Sequence, residues 1–279
     1  MTLQRPVPDT ATRGLVTVHV EGIGLLAPGL VGWRAARSVL RGAARYVPGE
    51  MPRPGAELLP PAERRRCGDI ARLALHVGAE ALEASGARAA DLPTVFASSS
   101  GNGEVLHQTC ETLAGPVRDV SPTRFHNSVH NAPAGYWSIA TGSREASTSL
   151  CAHQGTFAAG LLEAALQAVA ERRPVLLVAY DAPNPEPLAA AVPIVAACGV
   201  ALALGHEASK VAAARLDLEF AGGGELTPLA DPGLERLRAG NAAAAALPLL
   251  AALAGGRAAR VLLEYLPGLH VAVTVTPAA

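Results

Sequence analysis

A chain of 279 residues, 50% hydrophobic and 17% charged, carries enough apolar material for one large domain or two tightly joined repeats, which excludes a disordered protein. Its 23 Lys and Arg nearly balance 24 Asp and Glu without a basic stripe, so neither a nucleic-acid surface nor a polybasic membrane patch is expected. With aromatics at only 4% and Ala dominant, the core must gain its contacts from closely approaching backbones.

Cys67, Cys110, Cys151 and Cys198 are widely spaced with no CxxC, which reads as reduced thiols rather than a zinc knuckle or a disulfide framework. No metal and no cofactor are expected. Arg5, Asp9 and Arg13 interrupt the amino terminus, so a signal peptide is not expected and a cytoplasmic protein is. The uncharged run Pro187 to Gly205 is long enough to cross a bilayer, but Pro193 and Gly199 interrupt it; it reads as a loop followed by a buried strand, not a membrane span.

Residues 1–14 lack periodicity and read as a tail. Val16, Val18 and Val20 alternate with polar residues as a half-buried strand that Gly22 and Gly24 should end. A short helix is expected around Leu30 to Arg41, a Pro/Gly-rich connection over Pro48 to Pro61, and one long helix from Glu63 to Ser85, stopped by Gly86. Thr94 to Ala97 is a strand, Ser98 to Gly103 a turn, and Glu104 to Leu113 a helix. Thr156 to Glu171 is apolar nearly all round, as a buried helix requires, and leads into the continuous apolar strand Val175 to Tyr180. Val200 to Leu204 and Ala213 to Phe220 read as strands, Leu234 to Ala254 as a helix broken near Pro248, and Val261 to Tyr265 and Leu269 to Thr276 as a final strand pair. Strands alternating with helices imply an α/β fold.

Three local patterns suggest chemistry without specifying it. ASSSG at Ala97 to Gly101 is one residue from the GxSxG elbow of a serine hydrolase, with Ser99 as nucleophile, Asp181 as acid and His206 or His270 as base. A tight strand-to-helix turn is the simpler reading. His126 and His130 are four apart as in HExxH, but Asn127 replaces the general base and no third ligand is evident. Gly101 and Gly103 precede a helix without completing a phosphate-loop motif.

A fourth segment is specific. SPTRFHNSVHNAPAGYWSIATGSREASTSLCAHQGTFAAGLLEA, Ser121 to Ala164, resembles the nucleophile region of β-ketoacyl synthases. Asn131, Ala134, Gly135, Ser138, Ile139 and Gly142 reproduce the family's N-x-x-A-G-x-x-S-I-x-x-G. Continued without a gap, the resemblance places Ser147 before the nucleophile strand, Glu163 and Ala164 on the following helix, and Gln154 where the catalytic cysteine belongs; Cys151 misses that position by three residues. A helix amino terminus lowers a thiol's pKa and stabilises an oxyanion, but a glutamine cannot form a thioester.

The family's two catalytic histidines, one in an HGTGT-like motif, have no counterpart, since His206 and His270 lie outside any Gly/Thr-rich loop. The resemblance implies a thiolase-like layered α/β/α/β/α fold, with a first repeat over about 15–195 and a reduced second repeat over about 196–279. It further implies a non-catalytic chain-length-factor subunit like those of bacterial aryl polyene clusters. Such a subunit pairs with a catalytic ketoacyl synthase and shapes the tunnel in which a polyene, polyketide or fatty-acid-like chain grows on an acyl carrier protein. Phe125, His126 and Val129 then fall at the dimer interface or acyl tunnel. The alternatives are an active synthase using Cys151, a hydrolase using Ser99, and a structural homodimer without a tunnel.

Overall fold

The computed structural model describes residues 16–278, so the expected tail over 1–14 lies outside the described residues. In chain order the elements are β1 (Val16–Ala27), β2 (Leu30–Val31), α1 (Trp33–Leu40), α2 (Pro61–Arg66), α3 (Asp69–Ser85), β3 (Thr94–Ala97), α4 (Gly103–Ala114), α5 (Pro122–Asn127) and α6 (Ala132–Thr141). There follow β4 (Ser147–Leu150), α7 (Thr156–Glu171), β5 (Val175–Asp181), α8 (Leu188–Ala191), β6 (Cys198–Gly205), β7 (Ala214–Gly222), α9 (Pro232–Ala239), α10 (Leu247–Gly255), β8 (Ala259–Leu266) and β9 (Leu269–Pro277).

Eight strands form one mixed sheet in the order β4-β3-β5-β6-β1-β7-β9-β8, with β2 folded back on β1. β3 runs parallel to β4 and β5; every other pairing is antiparallel. The order contains an internal duplication. The hairpin β5–β6 pairs through β6 with β1, and the hairpin β8–β9 pairs through β9 with β7; each hairpin is preceded by a buried helix, α7 or α10. β1 and β7 join the two units through an antiparallel pairing that places Val18 opposite Leu216. β6, bonded between β5 and β1, belongs with the earlier strands.

β5 is buried on both faces, as its unbroken apolar run requires. Val175, Leu177 and Ala179 enter one apolar cluster with α7, α10 and strands of both units; Leu176, Val178 and Tyr180 enter another with α3 and α6. α7 touches β5, β3 and β1 on one side and β8 on the other, which makes it the inner helical layer.

The second unit lacks counterparts of β3 and β4 between β7 and β8, which leaves β8 at the sheet edge. The edge is blocked by one residue: the Thr227 hydroxyl accepts from the Leu262 amide at 2.8 Å, and the Thr227 amide donates to the Leu262 carbonyl at 3.2 Å. The far face of β7–β9–β8 carries Arg215, Asp217, Glu219, Arg260 and Thr274, tied by Arg215–Asp217 and Arg260–Glu219 ion pairs at 2.7 and 3.0 Å, where a helical layer would need apolar side chains.

Several local expectations change. β1 does not end at Gly22 and Gly24 but runs on to Ala27, because these glycines face α3: a Cβ at either would collide with the Ala81 or Val77 carbonyl oxygen. Closeness of backbones, not turning, is what these glycines supply. Leu30 and Val31 form β2 before α1 begins. The expected helix 63–85 is two, since Cys67 adopts an extended conformation and Gly68 starts α3 afresh. The break in 234–254 falls at Gly240–Ala243, and Pro248 sits harmlessly in the first turn of α10. No helix of the described residues is long and apolar enough to cross a membrane.

Candidate functional site

The carboxyl ends of the parallel strands β3, β4 and β5 meet on one rim of the sheet, where open α/β sheets place their ligands. β3 delivers Ser98 to Gly101, β4 delivers Cys151 to Gly155, and β5 ends on Asp181. Asp181 is fully buried. One of its carboxylate oxygens accepts from the Ser98 hydroxyl and the Ser99 amide, both at 2.9 Å; the other has no partner. Burial pushes its pKa up, and the Ser98 and Ser99 hydrogen bonds oppose that rise. Behind it, burial holds the Cys198 thiol far above its ordinary range, and the Asp181 carboxylate adds to the effect.

The Ser98 hydroxyl in turn accepts from the Gly101 amide at 2.9 Å, and the Asn102 side chain caps α4 through the Val105 amide at 3.1 Å. The ASSSG segment is therefore a pinned strand-to-helix turn. Asn241 ties the second unit to the segment before β6, donating to the Ala196 carbonyl at 2.8 Å while its side-chain oxygen accepts from the Ala243 and Ala244 amides.

The hydrolase arrangement does not form. Asp181 serves Ser98 and the Ser99 amide rather than a histidine. His206 follows the far end of β6, which pairs with the start of β5, about 20 Å from Ser99 along the strands. His270 is buried in β9 opposite Ala221 and Glu264.

The histidine pair of the HExxH-like spacing also separates. α5 ends at Asn127, so His126 and His130 do not share a helical face. His126 packs edge-on against Tyr136 with ring centroids 5.8 Å apart, whereas His130 Nε2 lies 3.0 Å from the Ser98 carbonyl oxygen. Between them Asn127 is buried, donating to the Arg66 carbonyl and accepting from the Tyr136 hydroxyl, both at 2.9 Å. Pro122 and Pro133, which bracket the segment, do not make it a loop but sit in the first turns of the helices α5 and α6.

Gln154 sits in a 3-10 turn, His153–Gly155, that leads directly into α7. Thr156 staples this turn: its hydroxyl donates to the His153 carbonyl at 2.6 Å and accepts from the Ala152 amide at 3.1 Å. His153 takes a positive φ of 53°, a strained conformation for a non-glycine residue at the mouth of the turn. Gln154 is exposed and forms part of the wall of two cavities. One, of about 210 Å³, includes Ser99, Leu106, His153, Ile194 and Asn241; the other, of about 200 Å³, includes Thr227, Arg238 and Leu262.

Cys151, three residues before Gln154, is not a buried strand thiol: it lies one residue beyond β4, exposed, with its Sγ donating to the Ser99 carbonyl at 3.2 Å. Phe125 is 68% and Val129 49% exposed, and His126 is exposed beside them. Sequence reasoning missed Asn241 and the strained His153. The one available signal for Asn241 was a polar residue after Gly240 inside an alanine run.

The sequence model of the family described as "Beta-ketoacyl synthase, N-terminal domain" matches residues 37–254, most of the chain. The protein belongs to this family. A comparison with curated proteins gives no match. Among solved structures, the chain is similar to a ketosynthase in complex with its chain length factor from Xenorhabdus doucetiae, at 24% identity over 93% of this chain and 99% of that one, with a TM-score of 0.69. It is also similar to the ishigamide ketosynthase/chain length factor, at 15% identity over 95% and 100% of the two chains, with a TM-score of 0.69. A third likeness is to a type II polyketide synthase acyl-carrier protein in complex with its ketosynthase bound to the hexaketide, at 12% identity, 95% and 100% coverage and a TM-score of 0.69. These likenesses show the fold, which is thiolase-like α/β.

Proposed function

We propose that this ketoacyl-synthase-family protein is a non-catalytic subunit, a chain length factor, that pairs with a catalytic synthase and shapes the tunnel in which a carrier-bound acyl chain grows. The observation that carries the reading is Gln154 at the start of the buried helix α7, where the family's mechanism needs a thiolate. An amide side chain can neither form the thioester nor leave from it. The absent histidine loops agree, because the second unit lacks the strands that would extend it beyond β8.

The solved structures named above, which include a ketosynthase with its chain length factor and a ketosynthase with its carrier protein, support the same partners for this chain. Phe125, His126 and Val129 are the candidate interface or tunnel residues; two large apolar side chains left in water at one end of α5 favour a covering partner. We place the division between the repeats at the loop 206–213, after β6, rather than at 195/196. The carrier-protein partner, and with it a polyene, polyketide or fatty-acid-like product, belongs to this proposal.

Cys151 is the competing nucleophile. Its position before the turn, with the thiol directed to the Ser99 carbonyl, supports a structural role. The test is co-expression with a catalytic ketoacyl synthase and a carrier protein. Expected are a stable heterodimer on size exclusion and elongated carrier-bound products by mass spectrometry only when both subunits are present. A monodisperse monomer that ignores such a synthase, or one that condenses acyl chains alone, overturns the reading.

A further inference from the structure

A cavity of about 370 Å³ lies at the opposite end of the sheet from β4, between the end of α1, one face of α10, the loop 227–231 and the start of β8. Its volume falls within the range of small-molecule pockets. The floor is apolar, with Leu40, Leu234 and Val261 almost fully buried beneath it. Two arginines, Arg41 and Arg257, border it against one acid, Asp231, while Arg260, also at its edge, sends its side chain to the far face of the sheet.

Asp231 is already engaged: its carboxylate caps α9 through the Gly233 and Leu234 amides at 2.8 and 3.1 Å. Arg260 pairs with Glu219 at 3.0 Å, whereas Arg41 and Arg257 make no ion pair among the described residues. An apolar floor with unpaired cations at the rim is the complement of a molecule that has one anionic head and one apolar tail.

We infer that this cavity binds a single-chain anionic amphiphile, a linear aliphatic carboxylate or its phosphate analogue, whose head meets Arg41 and Arg257 and whose tail covers Leu40, Leu234 and Val261. The site is independent of the chain-length-factor reading. It is separated from β4 and the Gln154 turn by the whole width of the sheet.

The test is titration of the purified full chain with octanoate, dodecanoate, dodecyl phosphate and dodecanol by calorimetry, with vesicles containing phosphatidylglycerol as a separate arm. Expected is saturable 1:1 binding of the two dodecyl anions, tighter than octanoate and at least about tenfold tighter than dodecanol. The double variant Arg41→Glu/Arg257→Glu changes two exposed side chains and should lower the dodecanoate affinity at least about tenfold while leaving the thermal midpoint in place. Ala252→Phe, which fills the floor, should abolish binding. No saturable binding of either anion overturns the inference. So does affinity unchanged in the arginine variant, or association with vesicles alone, which would assign the arginines to a bilayer headgroup.

Discussion

The two units of this molecule share an arrangement of strands and differ in what lies beyond it. In the first, β3 and β4 continue the sheet past β5, and their carboxyl ends carry the Ser98 turn and the Gln154 turn. In the second, the chain from β7 to β8 supplies only α9, a short 3-10 turn and α10, and β8 is finished by the single Thr227 bracket. The strands without a counterpart in the second unit are those that in the first bring site residues to the rim. Hydrophobic contacts explain why the fold tolerates the loss: α7 and α10 are covered on both sides without them, and the exposed face became ion-paired rather than apolar.

The units, joined by the β1–β7 pairing, also touch at the site itself, which gives the comparison its sharpest test. A Cβ at Gly155 would collide with the Tyr265 carbonyl oxygen, so the start of α7 can approach β8 only as glycine. Gly155→Val should cost about 3 kcal/mol or more and expose the second unit first. Denaturant unfolding with hydrogen exchange reads both effects; an unchanged midpoint would mean that the two units are not coupled there.

Asp181 comes next in size. Because burial raises its pKa, the folded chain binds its proton more tightly than the unfolded chain, where the pKa is about 3.9. Its favourable contribution is therefore present in full below that value and is lost as pH rises through the folded value, the reverse of an ion-paired carboxylate. Asp181→Asn keeps an acceptor for Ser98 and Ser99 but does not titrate, so its stability relative to the wild type should rise between pH 4 and pH 8. Asp181→Ala, which leaves the Ser98 hydroxyl and the Ser99 amide without an acceptor, should cost about 3 kcal/mol at low pH, with the cost shrinking as pH rises in parallel with the Asn variant. Urea midpoints across pH decide it, and an opposite slope would show that the carboxylate is solvated or paired.

The contrast between the units also explains which parts of the protein were legible in its sequence. β5, α7 and the last strand pair were plain because they are buried on two sides or alternate cleanly, so local pattern and tertiary environment agree. The glycines of β1 were misread because the partner that requires them, α3, lies far away in sequence. α5 and α6 were hidden by their own starting prolines, and the Asp181 and Asn241 network by the fact that its members come from three distant segments. Gln154 was legible through a motif, whereas its place between two cavities was not.

Chemistry at the turn should be almost indifferent to the cysteine beside it. Cys151→Ala removes one weak sulfur contact to the Ser99 carbonyl and should leave product formation by the reconstituted pair within about twofold of normal. On the same proposal, Gln154→Cys should place a thiol at the turn without giving this chain condensing activity of its own. Loss of condensation in Cys151→Ala, with the fold retained, would return the nucleophile to Cys151.

The smallest expected change in stability should have the most visible effect on product. Phe125 and Val129 are exposed, so replacing either with Ala should alter stability by no more than about 0.5 kcal/mol. If one of them closes the far end of the partner's acyl tunnel, its truncation opens room for about two to four methylene-sized units, each contributing roughly 0.8 kcal/mol of burial. On the chain-length-factor proposal the reacting groups reside in the partner, so condensation should continue and the chain should lengthen. Gln154→Ala supplies the contrast, since it alters the turn before α7 rather than the side chains in and just after α5 and should change rate without lengthening the product. Mass spectrometry of carrier-bound products separates the cases. Unchanged length at normal yield for both Phe125→Ala and Val129→Ala would leave α5 an interface element, and the wall that measures the chain would have to be sought in the cavity above Gln154.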